Sequence, residues 1–137
     1  MTQLDTLHVD SNNITDLGLE IISTIECICN LELHNLPITD HGLTKIATLK
    51  QLHYLELGNC EGITDNGLKN ITAIHQLKKL CLSNCNLITD HGLEYFIEMH
   101  HLKEIVLDEG LQLTQKGVKK LSDNMPNLTV IIPSEYD

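Results

Sequence analysis

Residues 52–68 read LHYLELGNCEGITDNGL, and residues 77–93 repeat the same pattern as LKKLCLSNCNLITDHGL. The string Ile-Thr-Asp-x-Gly-Leu begins at Ile14, Ile38, Ile63 and Ile88, and a weaker copy begins at Leu113. The spacings are therefore 24, 25, 25 and 25 residues. Self-similarity at such a fixed period is typical of repeat architectures, in which each unit buries its apolar face against its neighbours. The sequence predicts a stack of similar coils.

A second pattern, LxxLxL, precedes each of these strings. Its apolar residues are Leu4/Leu7/Val9, Ile28/Leu31/Leu33, Leu52/Leu55/Leu57, Leu77/Leu80/Leu82, Leu102/Ile105/Leu107 and Leu128/Ile131. In the first five segments the last apolar pair has the spacing of two that a strand with one buried face requires, and each segment is too short for a helix. Six short strands are therefore predicted.

The segment that follows each repeated glycine has the spacing of a helix. Leu43, Ile46 and Leu49 recur about every three residues, which gives a short helix an apolar stripe. The Thr-Asp pair before it predicts the helix start, because either side chain can cap exposed backbone N–H groups. The glycines fall in the first helical turn, where glycine is otherwise unfavourable, so we expect them to allow close approach of neighbouring coils. They are Gly18, Gly42, Gly67, Gly92 and Gly117.

One coil of the predicted solenoid is strand, loop and helix. Stacked coils give the fold class α/β, a right-handed horseshoe segment with a parallel sheet on the concave face and short helices on the convex face. Five coils and a terminal strand occupy the chain. Because no linker-like stretch interrupts residues 1–137, we expect a single domain.

Composition excludes several classes of function. The net charge of −10 would repel a nucleic-acid backbone or an anionic membrane. No apolar run reaches the roughly 20 residues that span a bilayer, and residues 1–10 lack the features of a signal peptide, so we expect a cytoplasmic protein. Five cysteines, an odd number in such a chain, favour free thiols over a disulfide framework.

The residues that carry a family resemblance are Leu52, Leu55, Leu57, Cys60, Ile63 and Leu68. With LxxLxLxxC and ITDxGL in register, the chain resembles the cysteine-containing leucine-rich repeats of F-box/LRR proteins over essentially its whole length. The resemblance implies a protein-interaction scaffold, which in F-box relatives selects substrates for a ubiquitin ligase. Met1 lies three residues before the first strand, so we expect no F-box. A repeat-only protein, including a microbial effector that imitates this class in a host cytosol, fits equally well.

The concave face is the predicted binding surface, since the third, fifth, seventh and eighth residues of each repeat should point away from the core. The predicted partner-binding residues are His8, Glu32, His34, Tyr54, Glu56, Lys79, Glu104 and Asp108. Tyr54 is the expected anchor, because aromatic residues dominate binding energy. Glu32 beside Glu56 would repel one another, which favours a protein partner with a basic or mixed-charge surface. Asn35, Asn59 and Asn84 should form an outward column.

Other functions have weaker support in the sequence. Cys60 and Cys85 occupy equivalent positions in adjacent coils, close enough for a disulfide or a shared metal, but an inward thiol usually fills space. No catalytic motif occurs, so we expect no enzyme, cofactor or metal. A self-associating structural protein is an alternative, because only the polar residues Thr2, Gln3 and Asp5 protect the edge of the first strand. We expect a monomer that can dimerise through that strand.

Overall fold

A computed structural model describes residues 5–133 of the chain. Its six strands are β1 (Thr6–Asp10), β2 (Asn30–His34), β3 (Tyr54–Gly58), β4 (Lys79–Ser83), β5 (Glu104–Leu107) and β6 (Thr129–Ile131). They form one parallel sheet in chain order. The predicted α/β solenoid with six strands is confirmed.

Five helices alternate with the strands. They are α1 (Asp16–Ile22), α2 (Asp40–Ile46), α3 (Asp65–Ile71), α4 (Asp90–Glu94), continued by a 3-10 turn over Tyr95–Glu98, and α5 (Gln115–Asn124). Their apolar stripes, such as Leu68 and Ile71 on α3, are fully buried against the inner face of the sheet. There Leu31, Leu55 and Leu80 align in register and are also fully buried. A single aliphatic core therefore lies between sheet and helices.

The sequence left open whether the threonine or the aspartate of the repeated string caps each helix, and in the structure it is the threonine. Each of α2 to α5 begins after a threonine whose side-chain oxygen accepts a backbone N–H from the first turn, as Thr64 accepts the N–H of Asn66 at 3.2 Å. In α2 to α4 the aspartate that follows provides the negative charge that suits the first turn of a helix. Thr15, in the first coil, makes no such bond.

The aspartate of the repeated string also ties each coil to the next. Asp65 Oδ1 accepts the backbone N–H of Thr89 at 2.8 Å, and its Oδ2 accepts the hydroxyl of Thr89 at 2.5 Å. The same pair of bonds joins Asp16 to Thr39, Asp40 to Thr64, and Asp90 to Thr114. We call these bonds the Asp–Thr ladder. In the last string Gln115 stands where the others have Asp, so this position lacks the carboxylate that the ladder uses.

The repeated glycines make room for the ladder. A Cβ at Gly92 would overlap Asp65 Oδ1 and lie 2.9 Å from Leu68 Cδ1, both in the preceding coil. Gly42, Gly67 and Gly117 meet the equivalent aspartates, so the predicted close approach of coils is confirmed at these four positions. Gly18 differs, because a Cβ there would meet only Ile14 of its own coil.

Cys60 and Cys85 are buried free thiols of the core. The Cys60 thiol donates to the carbonyl oxygen of Gly58 at 3.4 Å, and Cys85 donates to that of Ser83 at 3.5 Å. Burial raises the pKa of Cys60 to about 11 and also raises that of Cys85. Both thiols therefore act as small apolar fillers with a weak donor.

The two ends of the chain are only partly described. Thr2, Gln3 and Leu4, which entered the predictions for the first strand, lie outside the described residues, as do residues 134–137. Within residues 5–133, no helix is both long and apolar enough to cross a membrane. On α1, Leu17 is 72 % exposed and Ile21 68 % exposed, so the first coil presents an apolar surface.

Candidate functional site

The side of the sheet that faces away from the core carries most of the predicted site. We call it the open sheet face and define it by the strand residues that alternate with the buried leucines: Thr6, His8, Asp10, Asn30, Glu32, His34, Tyr54, Glu56, Gly58, Lys79, Cys81, Ser83, Glu104 and Val106. The predicted alternation is confirmed on β1 to β5, because the residues between them belong to the core or pack against it. On β6 the predicted inward position of Ile131 is wrong: Val130 pairs with the buried Ile105 and packs against the core, whereas Ile131 pairs with Val106 of the open sheet face.

Histidines and glutamates meet at the first three strands of this face. His8 Nδ1 lies 3.8 Å from Glu32 Oε1, and His34 Nε2 lies 2.5 Å from Glu56 Oε2. The rings of His8 and His34 stack with centroids 5.3 Å apart and planes 19° apart. Gly58 permits this arrangement, since a Cβ there would lie only 2.5 Å from His34 Nδ1.

Tyr54 joins these groups to the fourth strand. Its hydroxyl donates to Glu56 Oε1 at 2.5 Å and lies 3.5 Å from Cys81 Sγ. Partial burial, followed by the hydrogen bond to Glu56, raises the pKa of Tyr54, so the hydroxyl keeps its proton and stays a donor. The expected anchor is therefore held in one orientation on the open sheet face.

An ion pair extends the contacts to the fifth strand. Lys79 Nζ lies 2.8 Å from Glu104 Oε2 and 5.6 Å from the centroid of the Tyr54 ring. The hydrogen bond to Glu104 raises the pKa of Lys79. The Lys79 ammonium group therefore makes a cation–π contact with the Tyr54 ring.

These contacts form one continuous network across five strands, which we call the polar network. It includes seven of the eight predicted residues: His8, Glu32, His34, Tyr54, Glu56, Lys79 and Glu104. The eighth, Asp108, lies past the end of β5 and accepts the backbone N–H of Glu109 at 2.8 Å. Asp108 lines a separate groove of about 370 Å³ with Leu107 and Leu111.

The expected repulsion between two glutamates is partly relieved within the chain. Glu32 and Glu56 are register partners, as predicted. However, His8 lies beside Glu32, while His34 and Tyr54 contact Glu56. A cationic partner would therefore gain less from neutralising this pair than the sequence alone suggests, because hydrogen bonds already stabilise the Glu56 carboxylate.

The predicted column of asparagines lies in the loops that follow β2, β3 and β4. Asn35, Asn59 and Asn84 have φ of 58°, 53° and 50°, so they turn the chain in the left-handed conformation after each strand. Asparagine tolerates this conformation better than other non-glycine residues. Gly110, with φ of 82°, is the positive-φ residue of the loop after β5. The asparagines therefore shape the loops that border the open sheet face.

Two members of the open sheet face escaped the sequence analysis as functional residues. Cys81, the fifth residue of its repeat, lies opposite Glu56 and contacts Tyr54. Gly58 is the seventh residue of its repeat, and a glycine at an outward strand position is itself a signal that a neighbour covers it. Here that neighbour is the His34 ring.

Comparisons with known proteins bear on the fold. A family model described as Leucine Rich repeat matches residues 2–23 and 49–71. No curated protein matches the chain. Among the solved structures that match is an internalin from Listeria monocytogenes, 21 % identical with a TM-score of 0.53. The alignment covers 92 % of this chain and 39 % of the internalin chain, so this chain is similar to a part of the longer internalin. Together with the six parallel strands, these matches show that the chain folds as an α/β leucine-rich-repeat solenoid.

Proposed function

We propose that this chain is a protein-binding module that uses the open sheet face, and that it has no catalytic role. The observation that carries the proposal is the polar network, which holds a tyrosine, two histidines, a lysine and three glutamates in fixed contact across five strands. Side chains that are already ordered lose little entropy when a partner binds. Nucleic acid and anionic membranes are disfavoured as partners by the net charge of −10.

Charge and shape indicate the kind of partner. The network offers carboxylates and imidazoles at its β1 to β3 end and an ion pair at its β4 to β5 end. A protein with a basic or mixed-charge surface would complement it, and such complementarity governs specificity and association rate more than affinity. Tyr54 supplies the amphipathic area at the centre, where binding energy concentrates.

Capture from the cytosol of the source cell tests the proposal, because we expect the protein to work there. The wild-type chain, Tyr54→Ala and Glu56→Lys are compared by mass spectrometry of bound proteins. Matched controls are Tyr95→Ala, on the helical side next to His91, and the exposed Glu98→Lys. A protein retained by both controls and lost with both network variants supports the proposal. Identical binding by all five chains, with circular dichroism showing that each is folded, contradicts it.

Self-association is a second candidate function, and the exposed Leu17 and Ile21 favour it. The equivalents of Ile21 in the following coils are Lys45, Asn70, Tyr95 and Lys120, so an aliphatic side chain at this position is peculiar to the first coil. Sedimentation at increasing concentration discriminates the two functions. A monomeric mass at every concentration excludes self-association, whereas an oligomer that Ile21→Lys dissociates supports it.

The finer predictions from the F-box/LRR resemblance stay proposals. A substrate-recognition role in a ubiquitin ligase predicts that ligase components are captured with the chain by the wild type and by both control variants. Capture of proteins unrelated to ubiquitin transfer leaves the general binding role and contradicts the ligase role. An effector role predicts partners from the host cytosol in place of the source cytosol.

A further inference from the structure

We propose that Glu32, His34 and Glu56 bind one divalent transition-metal ion, with Zn²⁺ as the test ion, on the open sheet face. The proposal goes beyond protein binding and concerns the isolated chain. Among the described residues, one ligand atom of each of these side chains lies within 4.8 Å of the others. The sequence predicted no metal, because no motif joins these ligands. Glu56 lies 22 residues after His34 and 24 residues after Glu32.

The parallel sheet creates this cluster. Glu32 and Glu56 are register partners on β2 and β3, so their side chains leave the same face on neighbouring strands. His34 follows Glu32 by two residues and therefore shares its face. Zinc takes nitrogen at about 2.0–2.1 Å and carboxylate oxygen at about 2.0–2.2 Å. We expect the ion to replace the hydrogen bond between His34 and Glu56, and rotations of the two glutamate side chains to bring the three ligand atoms to such distances from it.

The donor set favours a transition metal over calcium or magnesium. One imidazole with two carboxylates suits Zn²⁺ and its neighbours, whereas Ca²⁺ and Mg²⁺ prefer oxygen ligands alone. Three protein ligands leave a fourth position for water or for a group of a bound protein. A cation would also neutralise two carboxylates that the register holds side by side.

Neighbouring groups orient the ligands before any ion arrives. Tyr54 donates to Glu56 Oε1, which leaves Oε2 to face His34 Nε2 at 2.5 Å. The ring of His8 stacks on His34 and limits its rotation, and Gly58 leaves room for its Nδ1 edge. Side-chain exposures of 30 % for Glu32, 24 % for His34 and 23 % for Glu56 show that the cluster is partly shielded yet open to entry. Such outer contacts ordinarily strengthen metal binding about 10- to 100-fold.

Calorimetric titration of the full chain with zinc chloride, in the presence of a phosphine reductant, tests the site. We expect one ion per chain for the wild type. His34→Ala and Glu56→Gln should weaken binding at least tenfold, while His91→Ala should bind like the wild type. His91 is the matched control, because it also lies 3.8 Å from a glutamate, Glu94, but on the helical side. NMR of the imidazole nitrogens should show the Nε2 signal of His34 shift on addition of zinc.

Three results would overturn the proposal. One is the absence of binding by a folded wild-type chain. Another is equal binding by the wild type and His34→Ala, which would place the ion elsewhere. The third is binding that Cys81→Ser abolishes and Glu56→Gln leaves intact, which would assign the ion to the thiol beside Glu56. Since no protein partner takes part, these outcomes are independent of the capture experiment.

Discussion

The Asp–Thr ladder predicts that Asp65→Ala destabilises the protein far more than a typical surface change. Asp65 accepts two hydrogen bonds from Thr89 of the next coil and supplies the acidic residue in the first turn of α3. Hydrogen bonds to charged groups contribute about 1.5–3 kcal/mol each, and the helix-dipole interaction adds about 0.3–1 kcal/mol. Because the pair is only partly buried and water can replace some of the bonding, we expect a loss of about 2–4 kcal/mol in the free energy of unfolding.

Urea unfolding followed by circular dichroism measures this loss. The matched control is Gln115→Ala, at the equivalent position of the last helix, where we expect a change within about 0.5 kcal/mol. Asp65→Asn keeps one carbonyl acceptor and should fall between the two. A decrease in the slope of unfolding free energy against urea would further indicate that adjacent coils no longer unfold together. If Asp65→Ala is no less stable than Gln115→Ala, the ladder does not join the coils as described.

Two further predictions concern the core. Gly92→Ala should lower the thermal midpoint, because its Cβ would displace the Asp65 carboxylate from Thr89. Gly18→Ala should lower it less, because its Cβ would crowd Ile14 Cγ2 at 2.6 Å within the same coil and leave the Asp–Thr ladder intact. Calorimetry of both variants checks this, and an equal effect would contradict it. Stability should fall as pH rises from about 9 to about 11, because Cys60 stays protonated in the folded chain up to a pKa of about 11 while the unfolded thiol ionises near its ordinary 9.0. Urea unfolding at stepped pH should show that the free energy of unfolding falls by about 2–3 kcal/mol more in the wild type than in Cys60→Ala. Parallel plots of unfolding free energy against pH for the two chains would refute the prediction.

The architecture could be predicted from the sequence because its physical cause is periodic. Leucines at a spacing of two before each loop and of about three after it report directly which face of a short element is buried. The partner of the aspartate could not be predicted in the same way. Asp65 was interpreted as part of a local helix cap, and its bonds to Thr89 join groups 24 residues apart. Only the stacking of coils brings these groups together.

The candidate site could be predicted as a face but not as a network. Alternation along each strand indicates which side chains leave the sheet together, as Tyr54 and Glu56 do. Which of them touch depends on register and on neighbouring side chains, as when Gly58 lets the His34 ring lie over β3. The backbone conformation also places two predicted surface residues beyond the ends of their strands. Asp108 follows β5, which ends at Leu107, and Asn59 follows β3 in the left-handed conformation.

Site-specific photo-crosslinking tests most directly the claim that the open sheet face binds a protein. A benzophenone amino acid is placed at Val106, beside Cys81 on the open sheet face, and in a second chain at Glu98 on the helical side. After irradiation in the source cytosol, our account predicts a discrete adduct with one protein from position 106, weakened by Glu56→Lys, and none with that protein from position 98. An adduct from position 98 alone, or one that Glu56→Lys leaves unchanged, would contradict it.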